Sequence, residues 1–525
     1  MSESKPQAPL MIGVSGLRGI VGESLTPEVA MRFAGVFGEG LWAVSPSDST
    51  VVVARDGRYG GEGVYHAAIC GLLSTGCDVI PIGVVMTPTL AVAVDETSSK
   101  AGLMVTASHN PAEWNGLKLL LTDEIEWPDP DDDPDHELTR RLMSTDWAAA
   151  PTAADAAGII EAFRKHDPHL QDSIRVGRTC SFRSAVFDDP IGEHTHKVWS
   201  GVVIGFAHEY DDQHRDRPLD GQQDLGRNSK KWRVVLDSVN ASGGPAAERL
   251  IHSFHAEAIQ LHGDNSGIFP HTPEPTAENL SGEGGLCDAV PGLKADVGFA
   301  QDPDGDRLAI VDETGRYIGE EYTLALCAVS ILEARKAAGD PFDDVMLCAN
   351  LSTSRMVDDI AATYGASVVR TAVGEANVVE AMKRLKREGK AVLLGGEGNG
   401  GVIWPEVTYV RDSLGSMALV LSLMARTGKT VSELVADIPS YAIVKRKQPL
   451  ARKEDAKPAI DRIAAAYATE RVDTQDGVRV DFDSKRAWVH VRASNTEPIL
   501  RLIAEAEDEA VANEILDDVA KLVEG

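Results

Sequence analysis

The chain has 525 residues and a formal net charge of −30, with 43% hydrophobic, 25% charged and only 5% aromatic residues. That length calls for three or four domains of ordinary size, and the composition is globular rather than disordered or fibrous. The acidic balance argues against a general affinity for nucleic acid or an anionic membrane, since both need clustered positive charge, so any phosphate site must be built locally from Arg, Lys, backbone amides or a metal ion.

The first residues, Met1-Ser2-Glu3-Ser4-Lys5-Pro6-Gln7, lack the basic-then-apolar order of a signal peptide. The most apolar stretch, residues 79–94, is interrupted by Pro81 and Pro88, so no membrane span is expected. Cys70, Cys77, Cys180, Cys287, Cys327 and Cys348 are scattered without a C-x-x-C pair, which reads as reduced thiols in a cytoplasm.

Three segments, residues 51–82, 232–261 and 345–373, each run from an apolar strand through a polar or Gly-bearing loop into a helical stretch and a second strand. Each suits a βαβ unit, and their repetition predicts several α/β domains with mixed, mostly buried sheets. Residues 128–137, dense in Asp and Pro, and residues 210–231, rich in Asp, Gln and Arg, lack the apolar residues of a core and read as surface insertions. After about residue 440 the pattern changes to short strands at 478–480, 487–491 and 500–503 and a closing helix over 508–523, a separate α+β module.

The chemistry-bearing motifs lie between these elements. Asp302-Pro303-Asp304-Gly305-Asp306-Arg307 alternates three carboxylates on a turn, the oxygen ligands that Mg²⁺ prefers. An EF-hand reading fails, because the position needing Gly is Arg307 and the next residues continue as a strand. In Thr106-Ala107-Ser108-His109-Asn110-Pro111, Ser108 alone reads as a turn serine. It becomes a nucleophile only with assistance, and Lys118 or His109 could manage the proton. Gly396-Glu397-Gly398-Asn399-Gly400-Gly401 matches the dinucleotide fingerprint formally, but Val402-Ile403-Trp404-Pro405 cannot open the required helix. Glu397 and Asn399 read instead as partners for sugar hydroxyls. Arg492-Ala493-Ser494-Asn495-Thr496-Glu497-Pro498 fits a phosphate enclosure or a capped turn equally well.

Taken in order, these motifs resemble the α-D-phosphohexomutase superfamily, which includes phosphoglucomutase/phosphomannomutase and phosphoglucosamine mutase. Gly13-Val14-Ser15-Gly16-Leu17-Arg18-Gly19 is similar to the family's N-terminal loop, residues 106–111 to its phosphoserine loop and residues 302–307 to its metal loop. Residues 397–401 resemble its sugar loop and 492–498 its phosphate loop. The resemblance implies three related α/β domains and a C-terminal α+β domain around a central cleft, with boundaries at 1–188, 189–315, 316–440 and 441–525 and a mobile last module. It implies that Ser108 carries a phosphoryl group and that one Mg²⁺ is held by Asp302, Asp304, Asp306 and Ser108. Arg18, His109 and Lys118 would serve catalysis. Arg307, Glu375, Glu397, Asn399, Arg492, Ser494, Asn495 and Thr496 would bind substrate.

The implied reaction moves phosphate between O6 and O1 of a hexose through a 1,6-bisphosphate, with hexose 1,6-bisphosphate as activator. Glu375, where several relatives place His, Lys or an aromatic residue, favours a substrate ammonium and so glucosamine phosphate over mannose phosphate, with phosphomannomutase/phosphoglucomutase as the alternative activity. A cytoplasmic monomer or homodimer is expected, acting on a small hexose phosphate without nucleic-acid or membrane partners. The competing expectations are a sugar phosphatase and a non-catalytic sugar-phosphate binding protein.

Overall fold

The computed structural model describes residues 9–14, 16–45, 49–122, 147–165, 168, 177–184, 187–206, 231–494 and 497–524. Insertion 128–137, residues 210–230 of the second insertion, and Asn495 and Thr496 lie outside the described residues. Four sheets follow one another along the chain. The first contains β1 (Met11–Gly13), β2 (Gly16–Ile20), β3 (Val51–Arg55), β4 (Val79–Val84), β5 (Ala101–Val105) and β6 (Trp114–Leu121), in the order β1-β2-β6-β5-β3-β4. β3 is parallel to β4 and β5, whereas β6 turns back against β5 and β2. The run Val51-Val52-Val53-Ala54 is buried on both faces, as expected for a central parallel strand covered by helices.

The second sheet contains β7 (Arg233–Asp237), β8 (Glu257–His262), β9 (Val297–Gln301) and β10 (Leu308–Asp312), in the order β10-β9-β7-β8. The third contains β11 (Val345–Asn350), β12 (Ser367–Thr371), β13 (Ala391–Glu397) and β14 (Gly401–Ile403), in the order β12-β11-β13-β14. In each, the first strand is parallel to its helix-linked neighbour, and one antiparallel edge strand completes the sheet. The last sheet is wholly antiparallel: β15 (Ala442–Pro449), β16 (Arg471–Asp473), β17 (Val478–Phe482), β18 (Ala487–Ala493) and β19 (Ile499–Ala506), in the order β15-β19-β18-β17-β16.

One apolar core runs through the second and third sheets, joining Leu236, Phe299 and Ile310 to Leu324, Leu347, Leu394 and Leu419. Each such fully buried side chain stabilises by about 1.5–3 kcal/mol. Helix Pro190–Phe206 fastens this core to the first unit: His194 lies 2.9 Å from Thr89 Oγ1 and 3.0 Å from Asp412 Oδ2. The last module keeps a core of its own around Ile463, Val480, Val489, Leu502 and Leu516. It is tied to the third sheet by polar contacts, among them Ser352 Oγ to His490 Nδ1 at 2.8 Å and the Arg355 amide to Glu505 Oε1 at 2.9 Å. Among the described residues, no helix is long and apolar enough to cross a membrane.

Candidate active site

The C-terminal ends of parallel strands from three sheets converge, the place where open α/β sheets bind ligands. β5 delivers the loop carrying Ser108, β9 the carboxylate loop and β13 Glu397. Ser108 adopts the left-handed backbone region, with φ of 51°. For a non-glycine residue this costs about 1–2 kcal/mol, so neighbours must hold it there. Thr106 Oγ1 accepts the Ser108 amide at 2.8 Å, and the buried Arg58 guanidinium donates to the Ser108 carbonyl. Arg58 is itself fixed by Asp56 Oδ2 at 2.8 Å and by the Trp114 carbonyl at 2.8 Å. So presented, Ser108 Oγ lies 3.1 Å from Asp302 Oδ2 and 3.2 Å from His109 Nδ1.

The carboxylate loop is pinned through its own carbonyls. Ser242 Oγ donates to Pro303 at 2.7 Å, the Thr87 amide to Asp304 at 2.8 Å and Ser413 Oγ to Gly305 at 2.6 Å. Gly305 sits at φ +67°, and an added Cβ would lie 2.5 Å from Met86 Sδ, so this tight corner needs glycine. One carboxylate oxygen each from Asp302, Asp304 and Asp306 lies within 4.8 Å of the others. Asp302 Oδ1 is used by the amides of Asp306 and Arg307, both at 3.1 Å. Asp304 Oδ1 and Asp306 Oδ1 are buried with no hydrogen-bond partner. Burial, then the charges of Asp306 and Asp304, push the Asp302 carboxyl well above the usual range. Three crowded carboxylates with two orphaned oxygens fit a hard divalent cation, which would relieve both the repulsion and the missing hydrogen bonds.

Cations of the chain surround the other side. Lys118 Nζ lies 3.2 Å from Asp306 Oδ2 and 3.6 Å from Glu375 Oε2. Arg411 donates to Asp306 Oδ2 at 2.5 Å and to Glu397 Oε2 at 2.8 Å. Burial opposes the charge on Asp306, but Arg411, Lys118 and Arg307 outweigh it and hold that carboxyl below the usual range. Burial likewise opposes a charged Lys118, yet Glu375, Asp306 and Asp304 raise it above the ordinary lysine value, so it is an ammonium at neutral pH. Burial, then Arg307, push His109 down to about 3, leaving a neutral imidazole beside Ser108.

Comparison with known proteins shows what this constellation belongs to. Four profiles of one family match in order: the phosphoglucomutase/phosphomannomutase alpha/beta/alpha domains I, II and III over residues 9–142, 221–315 and 320–441, and its C-terminal domain over 444–522. A phosphoglucomutase/phosphomannomutase of Thermococcus kodakarensis is 33% identical over 98% of both chains. A probable phosphoglucosamine mutase of Methanopyrus kandleri is 33% identical over 97% of both. The crystal structure of a phosphoglucomutase/phosphomannomutase family protein from Burkholderia thailandensis superposes with a TM-score of 0.73 at 24% identity, covering 98% of both chains. The chain belongs to the phosphoglucomutase/phosphomannomutase family. Membership makes it a phosphohexomutase, an isomerase of the intramolecular phosphotransferase kind.

In this family member, the expected architecture of three α/β units followed by a C-terminal α+β unit is present. Gly396 to Gly401 turn β13 into the antiparallel β14, a hairpin rather than a helix start, as the rejected dinucleotide reading required.

Arg18 donates to Asn110 Oδ1 at 3.1 Å, beside the serine loop. Glu397 Oε1 accepts from Asn350 Nδ2 at 2.8 Å and the Gly374 amide at 3.1 Å, while Asn399 Oδ1 accepts from the Gly401 amide at 3.1 Å. Glu375 opens helix Glu375–Arg387 and accepts from the Arg411 amide at 3.0 Å, so its carboxylate stands between two cations of the chain itself. Arg307 Nε is buried without a hydrogen-bond partner, and its Nη1 lies 3.9 Å from Glu274 Oε1.

Arg492 and Ser494 lie in the last module. Arg492 Nε faces Asp476 Oδ2 at 3.3 Å, and the Ser494 amide donates to the Ile499 carbonyl at 3.0 Å. No described hydrogen bond or ion pair joins Arg492 directly to the serine loop. Asp476 Oδ2 also accepts the Val373 amide at 3.0 Å, which ties Arg492 to the segment leading into Glu375.

Sequence reasoning passed over Arg411 and Arg58. Both stood in visible charged pairs, Arg411-Asp412 and Asp56-Gly57-Arg58. Their reach to Asp306, Glu397 and Ser108 exists only in the folded chain.

Proposed function

We propose that the protein is a phosphoglucosamine mutase working through a phosphoserine at Ser108. The supporting observation is the approach of Ser108 Oγ to within 3.1 Å of Asp302 Oδ2, with Lys118 3.2 Å from the neighbouring Asp306. That is a hydroxyl at the edge of a cation cradle, beside a fixed ammonium. Asp302, Asp304 and Asp306, with an oxygen of the Ser108 phosphate, would hold one Mg²⁺. Its charge supplies Lewis-acid stabilisation of the transferring phosphoryl group.

The phosphoryl group leaves Ser108 Oγ as its P–O bond breaks, a new P–O bond forms to O1 of the hexose 6-phosphate, and the O1 hydroxyl proton passes to the freed Ser108 oxygen. The resulting 1,6-bisphosphate turns over in the cleft, and its 6-phosphate returns to Ser108. Such transfers depend mainly on positioning and charge stabilisation. His109, neutral and 3.2 Å from Ser108 Oγ, relays that proton from the sugar hydroxyl to Ser108 Oγ in the first transfer and back to the sugar in the second. Lys118 and Arg18 stabilise the charge on the reacting oxygens. Arg307, whose buried Nε lacks a hydrogen-bond partner and lies 4.0 Å from Asp306 Oδ1, binds substrate phosphate. Glu375, Glu397 and Asn399 face the sugar, and Arg492, Ser494, Asn495 and Thr496 hold the phosphate that is not reacting.

Domains bounded at 1–188, 189–315, 316–440 and 441–525, a hexose 1,6-bisphosphate activator and a cytoplasmic monomer or homodimer without nucleic-acid or membrane partners complete the proposal. The net charge of −30 and six free cysteines support the last of these.

The glucosamine assignment rests on the curated relatives named for that activity and on the acid at position 375, which a substrate ammonium would share with Lys118 and Arg411. The phosphoglucomutase/phosphomannomutase name of the Thermococcus kodakarensis relative, at the same 33% identity, supports a second reading. Glucosamine, mannose and glucose 6-phosphates, each followed by ³¹P NMR with Mg²⁺ and a trace of hexose bisphosphate, distinguish them. A 1-phosphate signal from glucosamine 6-phosphate should lead the others by about tenfold or more in kcat/KM, the value of roughly 1.4 kcal/mol of selective transition-state binding. Faster mannose or glucose phosphate turnover would support the second reading instead.

A further inference from the structure

The C-terminal ends of β7 and β8 and the loop that follows bring Asp237, His262 and His271 together, outside the serine and carboxylate loops. Asp237 Oδ2 lies 3.1 Å from His262 Nδ1 and 2.9 Å from His271 Nε2. One ligand atom from each residue lies within 4.8 Å of the others. Asp237 is 1% exposed, and its Oδ1 accepts the Val239 amide at 3.0 Å, which fixes the carboxylate. His262 and His271 keep 25% and 19% exposure of their side chains, so solvent reaches the cluster.

The hydrogen-bond inventory makes this more than a surface network. His271 Nδ1 lies 2.8 Å from the Thr272 carbonyl, which can only accept. Nδ1 therefore carries the proton, and a neutral His271 turns the lone pair of Nε2 toward the Asp237 carboxylate. Two lone pairs 2.9 Å apart repel unless a second proton or a cation lies between them. His262 Nδ1 converges on the same oxygen, so one cation bound there would replace that proton and satisfy all three groups. The Thr272 contact is the outer-shell hydrogen bond that metal-bound histidines typically make.

The donor set also selects the ion. Two imidazole nitrogens and one carboxylate oxygen suit Zn²⁺ and its neighbours, whereas Mg²⁺ prefers an all-oxygen site. Tetrahedral bonds of about 2.0–2.1 Å place neighbouring ligand atoms about 3.3 Å apart. The separations of 3.1 and 2.9 Å from Asp237 need open only slightly, while the two imidazole nitrogens, within 4.8 Å of each other, come to the same spacing as the ion is bound.

We propose that Asp237, His262 and His271 form a second metal site, distinct from the carboxylate triad, that binds one divalent transition ion of the zinc class, with water completing its coordination. The ion fastens the loop between His262 and His271. That loop buttresses the serine loop: the Gly267 carbonyl accepts the Tyr59 amide at 3.0 Å, and the Phe269 ring lies 5.4 Å from the Arg58 guanidinium that holds Ser108. The site is thus structural, and its readout is ion binding and thermal stability.

The test titrates the chelator-stripped full-length protein with Co²⁺ as the probe, in excess Mg²⁺, and follows its visible absorption. The proposal expects one equivalent of low-coordinate Co²⁺ per chain, displaced by Zn²⁺, with a higher melting temperature in the loaded protein. Asp304→Asn should retain the signal. His262→Ala and the gentler His271→Gln, each checked for an unchanged far-UV spectrum, should weaken binding more than about 100-fold, beyond the usual loss of an outer-shell partner. A wild-type protein that binds no Co²⁺ under these conditions overturns the site. So does a signal that survives both histidine changes and disappears in Asp304→Asn.

Discussion

Ser108→Ala is expected to lower kcat by at least about 10⁴-fold, the scale seen when a covalent nucleophile is removed. The folded structure makes this variant a clean one. Its left-handed backbone is held by the Ser108 amide on Thr106 Oγ1 and the Arg58 guanidinium on the Ser108 carbonyl, and both contacts survive loss of the hydroxyl. Melting temperature should therefore change little while exchange of phosphate disappears. The competing hydroxyl is Thr87, whose Oγ1 donates to Asp304 Oδ2 at 2.8 Å. Thr87 is wholly inaccessible, whereas Ser108 keeps 5% exposure. Activity within about tenfold of wild type in Ser108→Ala would remove Ser108 as the nucleophile and direct attention to Thr87.

Arg411→Gln is expected to destabilise the protein by about 3–5 kcal/mol, because removing one member of a buried ionic group leaves the others charged and unpaired. Among the described residues, Arg411 alone joins Asp306, Glu375 and Glu397, from the carboxylate loop, the start of helix Glu375–Arg387 and the end of β13. Burial opposes its charge, but those three carboxylates outweigh it and hold its proton more firmly than usual. A lysine offers one ammonium and cannot span the three, so Arg411→Lys should lose much of the same stability. Urea unfolding followed by tryptophan fluorescence reads the effect. An Arg411→Gln transition within about 0.5 kcal/mol of wild type, the range of an ordinary surface change, would contradict this role.

What the sequence made visible was set by locality. The carboxylates of Asp302, Asp304 and Asp306 lie on one turn, so that motif announces its chemistry within six residues, whereas Ser108 beside Asn110-Pro111 reads locally as a turn serine and gains its expected role only from the order of the motifs. The three βαβ segments were legible because β3, β7 and β11 are continuous apolar runs buried on both faces or nearly so. The first sheet's outer strands were not. β1 is only three residues long, and β2 contains two glycines and an arginine, a weak strand signal that tertiary pairing with β6 overrides.

The sugar loop shows a different limit. Glu397 and Asn399 were readable as polar groups at the end of a strand, but their engagement with Asn350, Gly374, Arg411 and Gly401 depends on contacts across the fold. The Asp237, His262 and His271 cluster likewise draws residues from a strand end, a second strand and a loop, with no fixed spacing to mark it.

The central claim is that phosphate passes from Ser108 to a sugar and not to water. Protein carrying ³²P at Ser108 should be mixed with unlabelled glucosamine 6-phosphate and Mg²⁺, quenched within the first turnover, and the label traced. The account predicts that label leaves Ser108 and appears in the sugar bisphosphate and then in the monophosphates. Label released chiefly as inorganic phosphate, or a protein that never holds label at Ser108, would contradict it.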